Sequence, residues 1–247
     1  VYGVGRAEKE TVREAIDLMT GRIVTENVIA TAKKRIRDHY IEKGFLDIDV
    51  NITQVPDSTF DNGTIVDVYV NKNKKVKIDQ IYLEGVAAIE HKKIYRKMKN
   101  TKERKWWRLF KESKYLESSF EEDKSAILSE YNKLGYRNAR IVEDTLYRTQ
   151  DGFVGLKIKV DEGDQFYFGD ITFAGNIKYR TTFLDSLLGI NKGDLYNLDH
   201  LEARVFMDPK GLDLSSLYQD DGYLTFRAMP IEQSIQNDTI DIEIRMM

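Results

Sequence analysis

Residues 131–139 read Tyr131-Asn-Lys-Leu-Gly135-Tyr136-Arg-Asn-Ala139, and this stretch decides the fold because it does not occur alone. Its frame is Tyr, three residues, Gly and a second aromatic. The frame appears earlier as Tyr40-Ile-Glu-Lys-Gly44-Phe45 and later as Tyr218-Gln-Asp-Asp-Gly222-Tyr223, with glycines 91 and 87 residues apart. Such a period means that copies of one unit follow each other along the chain. Two further landmarks keep the same phase. Asn62-Gly63, Asp151-Gly152 and Asn237-Asp238 are turn dipeptides between alternating apolar residues, 89 and 86 apart. The first two are hairpin signals, because a type I′ turn needs positive φ at both central positions. Ile81-Tyr-Leu83-Glu-Gly85 matches Ile171-Thr-Phe173-Ala-Gly175-Asn176 at a spacing of 90, and Val1-Tyr2-Gly3-Val4 fits the tail of that pattern.

Each unit reads in the same order. A short alternating strand ends at the Gly. A first helix follows, with apolar stripes at Val12, Ile16 and Met19, at Ile94 and Met98, and at Phe183, Leu184, Leu187 and Leu188. These are the i, i+3/i+4, i+7 spacings of one buried helix face. A second helix carries Ile29, Ala32, Ile36 and Tyr40 in the first unit, and Phe120, Ile127, Tyr131 and Leu134 in the second. Ser118-Ser119-Phe120-Glu121 predicts a capping-box start for the latter. The motif Gly sits where a helix C-terminus calls for the left-handed conformation. Two strands close the unit, such as those containing Thr64–Val70, Val154–Val160 and Thr239–Ile244. The expected fold is α+β: three tandem β-α-α-β-β modules, each a three-stranded mixed sheet with two helices on one face. The modules span 1–75 (opening strand truncated), 76–164 and 165–247. The short joint Val160-Asp-Glu-Gly-Asp-Gln165-Phe166 implies a semi-rigid string of modules. In the third unit about six extra residues surround Met207-Asp208-Pro209-Lys210-Gly211. Pro and Gly together predict a split second helix there.

Composition narrows the function classes. The 247 residues carry a formal charge of −3, which argues against a generic nucleic-acid coat. No run of 18 apolar residues marks a transmembrane helix. The chain opens on Val1 without a signal-peptide pattern, so a fragment or processed product is expected. The absence of cysteine excludes disulfide scaffolds, thiolate nucleophiles and zinc ribbons. His39, His91 and His200 belong to no HxxxH or HExxH pattern. Enzyme motifs fail as well. GxSxG and the phosphate-binding GxxxxGK[ST] are missing, and Gly3-Val-Gly5-Arg-Ala-Glu8 lacks the third Gly of a dinucleotide fingerprint. The expectation is a non-enzyme with no catalytic, cofactor-binding or metal-binding residues and no cofactor.

The chain resembles the POTRA domains of the BamA family, the polypeptide-transport-associated repeats of outer-membrane β-barrel assembly proteins. The residues that carry the resemblance are Tyr131-x-x-x-Gly135-Tyr136-x-x-Ala139, then Val160-Asp-Glu162-Gly163, then Ile171-x-Phe173-x-Gly175-Asn176, and it covers essentially the whole chain. Trp106-Trp107 resembles the third domain of such a series and Gly193-Asp-Leu195-Tyr196-Asn197 the fourth, so the chain would span domains two to four. The resemblance implies a periplasmic portion of a bacterial outer-membrane protein. Its partners would be accessory assembly lipoproteins, unfolded outer-membrane protein clients and its own C-terminal membrane barrel, which this chain lacks. Two other readings stay open: another outer-membrane translocator, TamA-like or of two-partner secretion, and a single-stranded nucleic-acid binder.

With no reactive side chains in view, backbone chemistry remains. An exposed sheet edge offers N–H and C=O groups to which an extended peptide can add as a strand. The resemblance places that edge at the strand after the Gly-aromatic motif, here 44–53, 136–147 and 223–232. In the middle unit the candidate residues are Ala139, Arg140, Ile141, Val142 and Glu143. The alternative is that charges such as Arg137, Arg140, Glu143 and Asp144 blunt the edge. A second candidate is a basic stretch. Between His91 and Lys114 stand eleven Lys and Arg against two acids, so the rest of the chain sums to −12. Its loop holds Lys105, Trp106, Trp107, Arg108 and Phe110. It would contact a membrane surface or an acidic partner, or else its aromatics close the local core. The −12 balance elsewhere argues against nucleic acid as a partner.

Overall fold

The computed structural model describes residues 1–16, 23–60, 63–103, 115–149 and 153–247. Element order in the first repeat is α1 (Arg6–Ile16), α2 (Glu26–Ile41), β1 (Asp49–Pro56) and β2 (Thr64–Asn71). The second holds β3 (Ile78–Glu84), α3 (His91–Lys97), α4 (Glu117–Asn132), β4 (Arg140–Arg148) and β5 (Val154–Asp161). The third holds β6 (Tyr167–Ala174), α5 (Thr181–Leu188), α6 (Leu198–Glu202) with a π-helical turn (Ala203–Met207), α7 (Leu214–Asp220), β7 (Ala228–Gln236) and β8 (Thr239–Met246). Three small sheets result, with strand orders β1-β2, β3-β5-β4 and β6-β8-β7. In the third sheet β6 runs parallel to β8 and β7 antiparallel to it, the mixed arrangement expected. The first sheet keeps only a parallel bridge between Tyr2 and Tyr69 where the others have an opening strand. No helix among the described residues is long and apolar enough to cross a membrane.

By compactness the chain forms two units, each discontinuous in sequence. One comprises Val1–Tyr82, Met98–Asp123 and Thr145–Lys157. Its core joins Val12 and Ile16 of α1, Ala32, Ile36 and Tyr40 of α2, and Val50, Val68 and Val70 of the sheet. The other comprises Leu83–Lys97, Lys124–Asp144 and Ile158–Met247. Its main core gathers Leu184 and Leu188 of α5, Leu201, Val205, Leu214 and Tyr218 of the split second helix, and Ile240, Ile242 and Ile244 of β8. Most residues of the helical stripes read from the sequence are therefore buried, but Ile29, Leu134 and Leu187 are half-buried and Phe183 is exposed. Met19 lies outside the described residues.

Local chemistry sets the boundaries. Thr25 and Asn197 cap α2 and α6, each side-chain oxygen accepting from the amide three residues on. The capping box expected at Ser118 does not form, because α4 begins at Glu117 and the Phe120 amide already donates to the Leu116 carbonyl. The third repeat's second helix is split as expected. The π turn ends at Met207, the chain turns at Gly211 (φ +67°), and Asp213 caps α7. β1 and β2 form the expected antiparallel pair, with Pro56 opposite Thr64, while Asn62 of the turn dipeptide lies outside the described residues. Asn237, at φ +55°, does make a tight turn, with Gln236 opposite Thr239. Asp151-Gly152 lies outside the described residues.

The motif glycine has a second role. Gly135 sits at φ +86°, which favours residues without a Cβ. A Cβ there would lie 2.6 Å from the Phe166 carbonyl oxygen. This close approach exists because the Phe166 amide donates to the Gly135 carbonyl at 2.8 Å, and the Tyr196 amide to the Phe166 carbonyl at 2.9 Å. The first joint repeats the pattern: Val76 donates to Gly44 and Tyr115 donates to Val76. The Tyr-x-x-x-Gly motif is thus both a helix terminus and the socket that receives the linker to the next module.

Candidate interaction edge

The strands after the three motif glycines, β1, β4 and β7, each occupy the end of their sheet. All start about five residues after the glycine, because a turn intervenes, with Phe45, Tyr136 and Tyr223 carbonyls accepting from Ile48, Ala139 and Phe226 amides. Ala139 therefore belongs to the turn, and its amide is spent there. Arg140, Ile141, Val142 and Glu143 do lie in β4, at the sheet edge. The opposite margin of the third sheet is closed: Gly193 donates to the Phe168 carbonyl, Phe168 to Asp194, and Tyr167 bridges Leu195. The Gly193–Tyr196 segment thus covers the start of that margin, while among the described residues β7 pairs only with β8.

Backbone phase shows which groups point outward. Tyr2 exchanges hydrogen bonds with Val68 and Val70, so the groups of Tyr69 between them face β1, where Asn51 lies opposite. Antiparallel alternation then turns the N–H and C=O of Val50, Ile52 and Gln54 to the open side. Arg227 and Met247 exchange both of their bonds at 2.9 Å. By the same rule Met229 and Ile231 bond to β8, while Ala228, Pro230 and Glu232 face outward. Pro230 offers a carbonyl but no N–H, in keeping with the confinement of strand proline to edges.

The margins differ in guarding. Ion pairs surround β4: Arg140 with Asp161 at 2.7 Å, Lys124 with Asp144 at 2.5 Å, and Arg148 with Asp47. Charged edges resist strand pairing. In β7 the sequence Ala-Met-Pro-Ile-Glu-Gln-Ser-Ile-Gln carries one charge, and Glu232 is engaged, accepting from Tyr196 Oη at 2.7 Å and Arg137 Nη1 at 2.8 Å. Burial, and then this carboxylate, push the Tyr196 hydroxyl above the usual tyrosine range. Beside the first half of β7 runs an open groove of about 490 Å³, lined by Leu198, Phe206, Phe226 and Met229, with Glu202 and Arg227 adding one charge of each sign. Leu198, Phe206 and Met229 are substantially exposed apolar side chains. The sequence reading missed this groove, although Pro230 inside a strand pattern was a signal for an edge. Lys105, Trp106, Trp107, Arg108 and Phe110 lie outside the described residues.

Comparison with known proteins places this arrangement in context. A family model described as POTRA, surface antigen variable number repeat, matches residues 1–73, 76–163 and 166–246. A putative outer membrane protein assembly factor of Treponema pallidum is 24% identical over 211 residues, covering 83% of this chain and 24% of the relative. The outer membrane protein assembly factor BamA of Buchnera aphidicola is 24% identical over 191 residues, 77% of this chain and 31% of the relative. The chain thus spans less than a third of these relatives' length. Among solved structures, the Haemophilus influenzae BamA POTRA3-5 crystal structure superposes with a TM-score of 0.51 at 15% identity, over 98% of this chain and 90% of that one.

Proposed function

The chain belongs to the POTRA family, and from that premise we propose that it is the periplasmic scaffold of a BamA-like outer-membrane protein assembly factor. It binds accessory lipoproteins and unfolded barrel clients by strand addition, and no step in that work requires catalysis or a cofactor. The three modules, 1–75, 76–164 and 165–247, stand at positions two to four of the series and precede a membrane barrel. The superposed domains three to five speak to fold, not to numbering, at their low identity.

One observation carries the reading: in each sheet the same strand stands last in the order, and β7, with one charged residue, adjoins an open, largely apolar groove. Main-chain bonds give affinity with little regard to sequence, while a groove accepting alternate side chains selects for amphipathic strands. Clients defined by β-propensity fit both requirements. β4, the strand holding Arg140–Glu143, serves as a weaker second edge because its ion pairs must yield first.

The test is titration of the isotope-labelled chain with a ten-residue amphipathic barrel-strand peptide. Amide shifts are expected to gather on 228–236 and the groove, and less strongly on 49–56 and 140–148. Shifts spread over the helices, or none at all, would refute strand addition.

A further inference from the structure

A feature unrelated to the edges lies where α3 meets α4. Glu130 on α4 has a side chain only 5% exposed, and three ammonium groups converge on it. Lys97 Nζ and Lys133 Nζ reach Oε1 at 2.7 and 2.9 Å, and Lys93 Nζ reaches Oε2 at 3.2 Å. Lys93 and Lys97 stand one helical turn apart on α3, and Lys133 follows Glu130 by three residues, just past the end of α4. Burial raises the Glu130 pKa, but the bonds from Lys97, Lys133 and Lys93 outweigh it and hold the carboxyl at about 2. One carboxylate against three ammoniums leaves a local surplus of two positive charges.

That surplus is more than core stabilisation requires. A single lysine would neutralise Glu130, whereas three ammoniums repel one another. Because Lys97 and Lys133 share one oxygen, their nitrogens are no more than 5.6 Å apart. Like charges held that close repel, and partial exposure screens that repulsion without removing it. The lysine side chains remain 38–46% exposed. Each ammonium has three donors, so spending one on Glu130 leaves two for another acceptor. Lys92 and Arg96 flank the trio on the same helix and add to its field.

We propose that Lys93, Lys97 and Lys133, held in place by Glu130, form a binding site for a dianionic phosphate group. A dianion cancels the surplus of two, which a single carboxylate leaves half unmet. Lysine binds phosphate as a point charge, so three converging ammoniums need no planar fork. The buried carboxylate acts as a fixed peg that keeps the lysines together before the anion arrives, which lowers the ordering penalty of binding.

The experiment follows the lysine ammonium and backbone resonances of the 247-residue chain during titration with inorganic phosphate in 150 mM NaCl. Saturable shifts at Lys93, Lys97 and Lys133 are expected, with Lys159 and Lys178 unmoved. Lys97→Gln is expected to weaken binding at least tenfold with an unchanged melting temperature. Should that variant unfold, Lys133→Gln, at the more exposed edge of the trio, serves in its place. A parallel arm offers phosphatidic acid vesicles. Competition between vesicles and free phosphate supports a site for the phosphate group itself. Binding to vesicles alone overturns the small-anion site, as does a response shared equally by all surface lysines.

Discussion

Replacing Pro230 by Ala tests strand addition at β7 through a single backbone atom. Pro230 faces the open side of the sheet, where Ala228 and Glu232 each present an N–H and a C=O. An incoming strand therefore meets two donors where a regular edge of that length would offer three. Pro230→Ala restores the third without altering the bonds to β8, because the residues paired to β8 are Met229 and Ile231. A net hydrogen bond contributes about 0.5–1.5 kcal/mol. At 1.4 kcal/mol per tenfold, peptide affinity should rise by roughly 2- to 12-fold. The same change loosens the unfolded chain, so the module itself should lose about 0.4–1 kcal/mol of stability. The assay is a calorimetric titration of the parent and variant chains with the same amphipathic strand peptide, beside a denaturant melt of each. Tighter binding together with a slightly weaker fold is the expected signature. Equal affinities within twofold would show that the peptide does not pair with β7, and the argument from backbone phase would fail.

Other consequences are equally concrete. Glu162 Oε1 accepts from Tyr131 Oη and the Ala87 amide at 2.8 Å and from the Ala88 amide at 2.9 Å. In the first repeat Lys72 stands at the matching place and bonds Glu8 instead, leaving the buried Tyr40 hydroxyl without a partner. Tyr131→Phe should therefore cost about 1.5–3 kcal/mol and Tyr40→Phe nearly nothing, and equal losses in urea melts would contradict this. Gly135→Ala forces a Cβ toward the Phe166 carbonyl at φ +86°. In urea melts it should cost more than Gly222→Ala, which has open space around it and should suffer only the φ penalty of about 1–2 kcal/mol. The Glu130 carboxyl is held below its ordinary 4.5, at about 2. Its stabilising contribution is full above the unfolded pKa and lost as pH falls toward 2. Glu130→Gln should flatten that acid limb in pH-dependent melts.

Much of this protein was legible in its letters because the repeat samples one local pattern three times. The Tyr-x-x-x-Gly frame couples a helix stripe to a left-handed terminus, and both depend only on spacing and on the missing Cβ. Ser118 shows where local reading stops. Its capping pattern was present, yet the helix starts before it, since the Phe120 amide had already found the Leu116 carbonyl. The resemblance put Val142 on the strand after the motif glycine, which stands last in its sheet, but no spacing reveals that Arg140 and Arg148 find carboxylates on other segments.

Sequence alone determined the number of repeats and the order of their elements, because both follow from short-range periodicity and residue type. Tertiary structure alone decided that Leu198, Phe206 and Met229 line one groove, that Pro230 faces outward, and that Lys93 and Lys97 of α3 meet Glu130 and the following Lys133. Those facts join residues far apart in the chain. Which of them meet depends on how sheets pair and helices pack, and no local pattern carries that information.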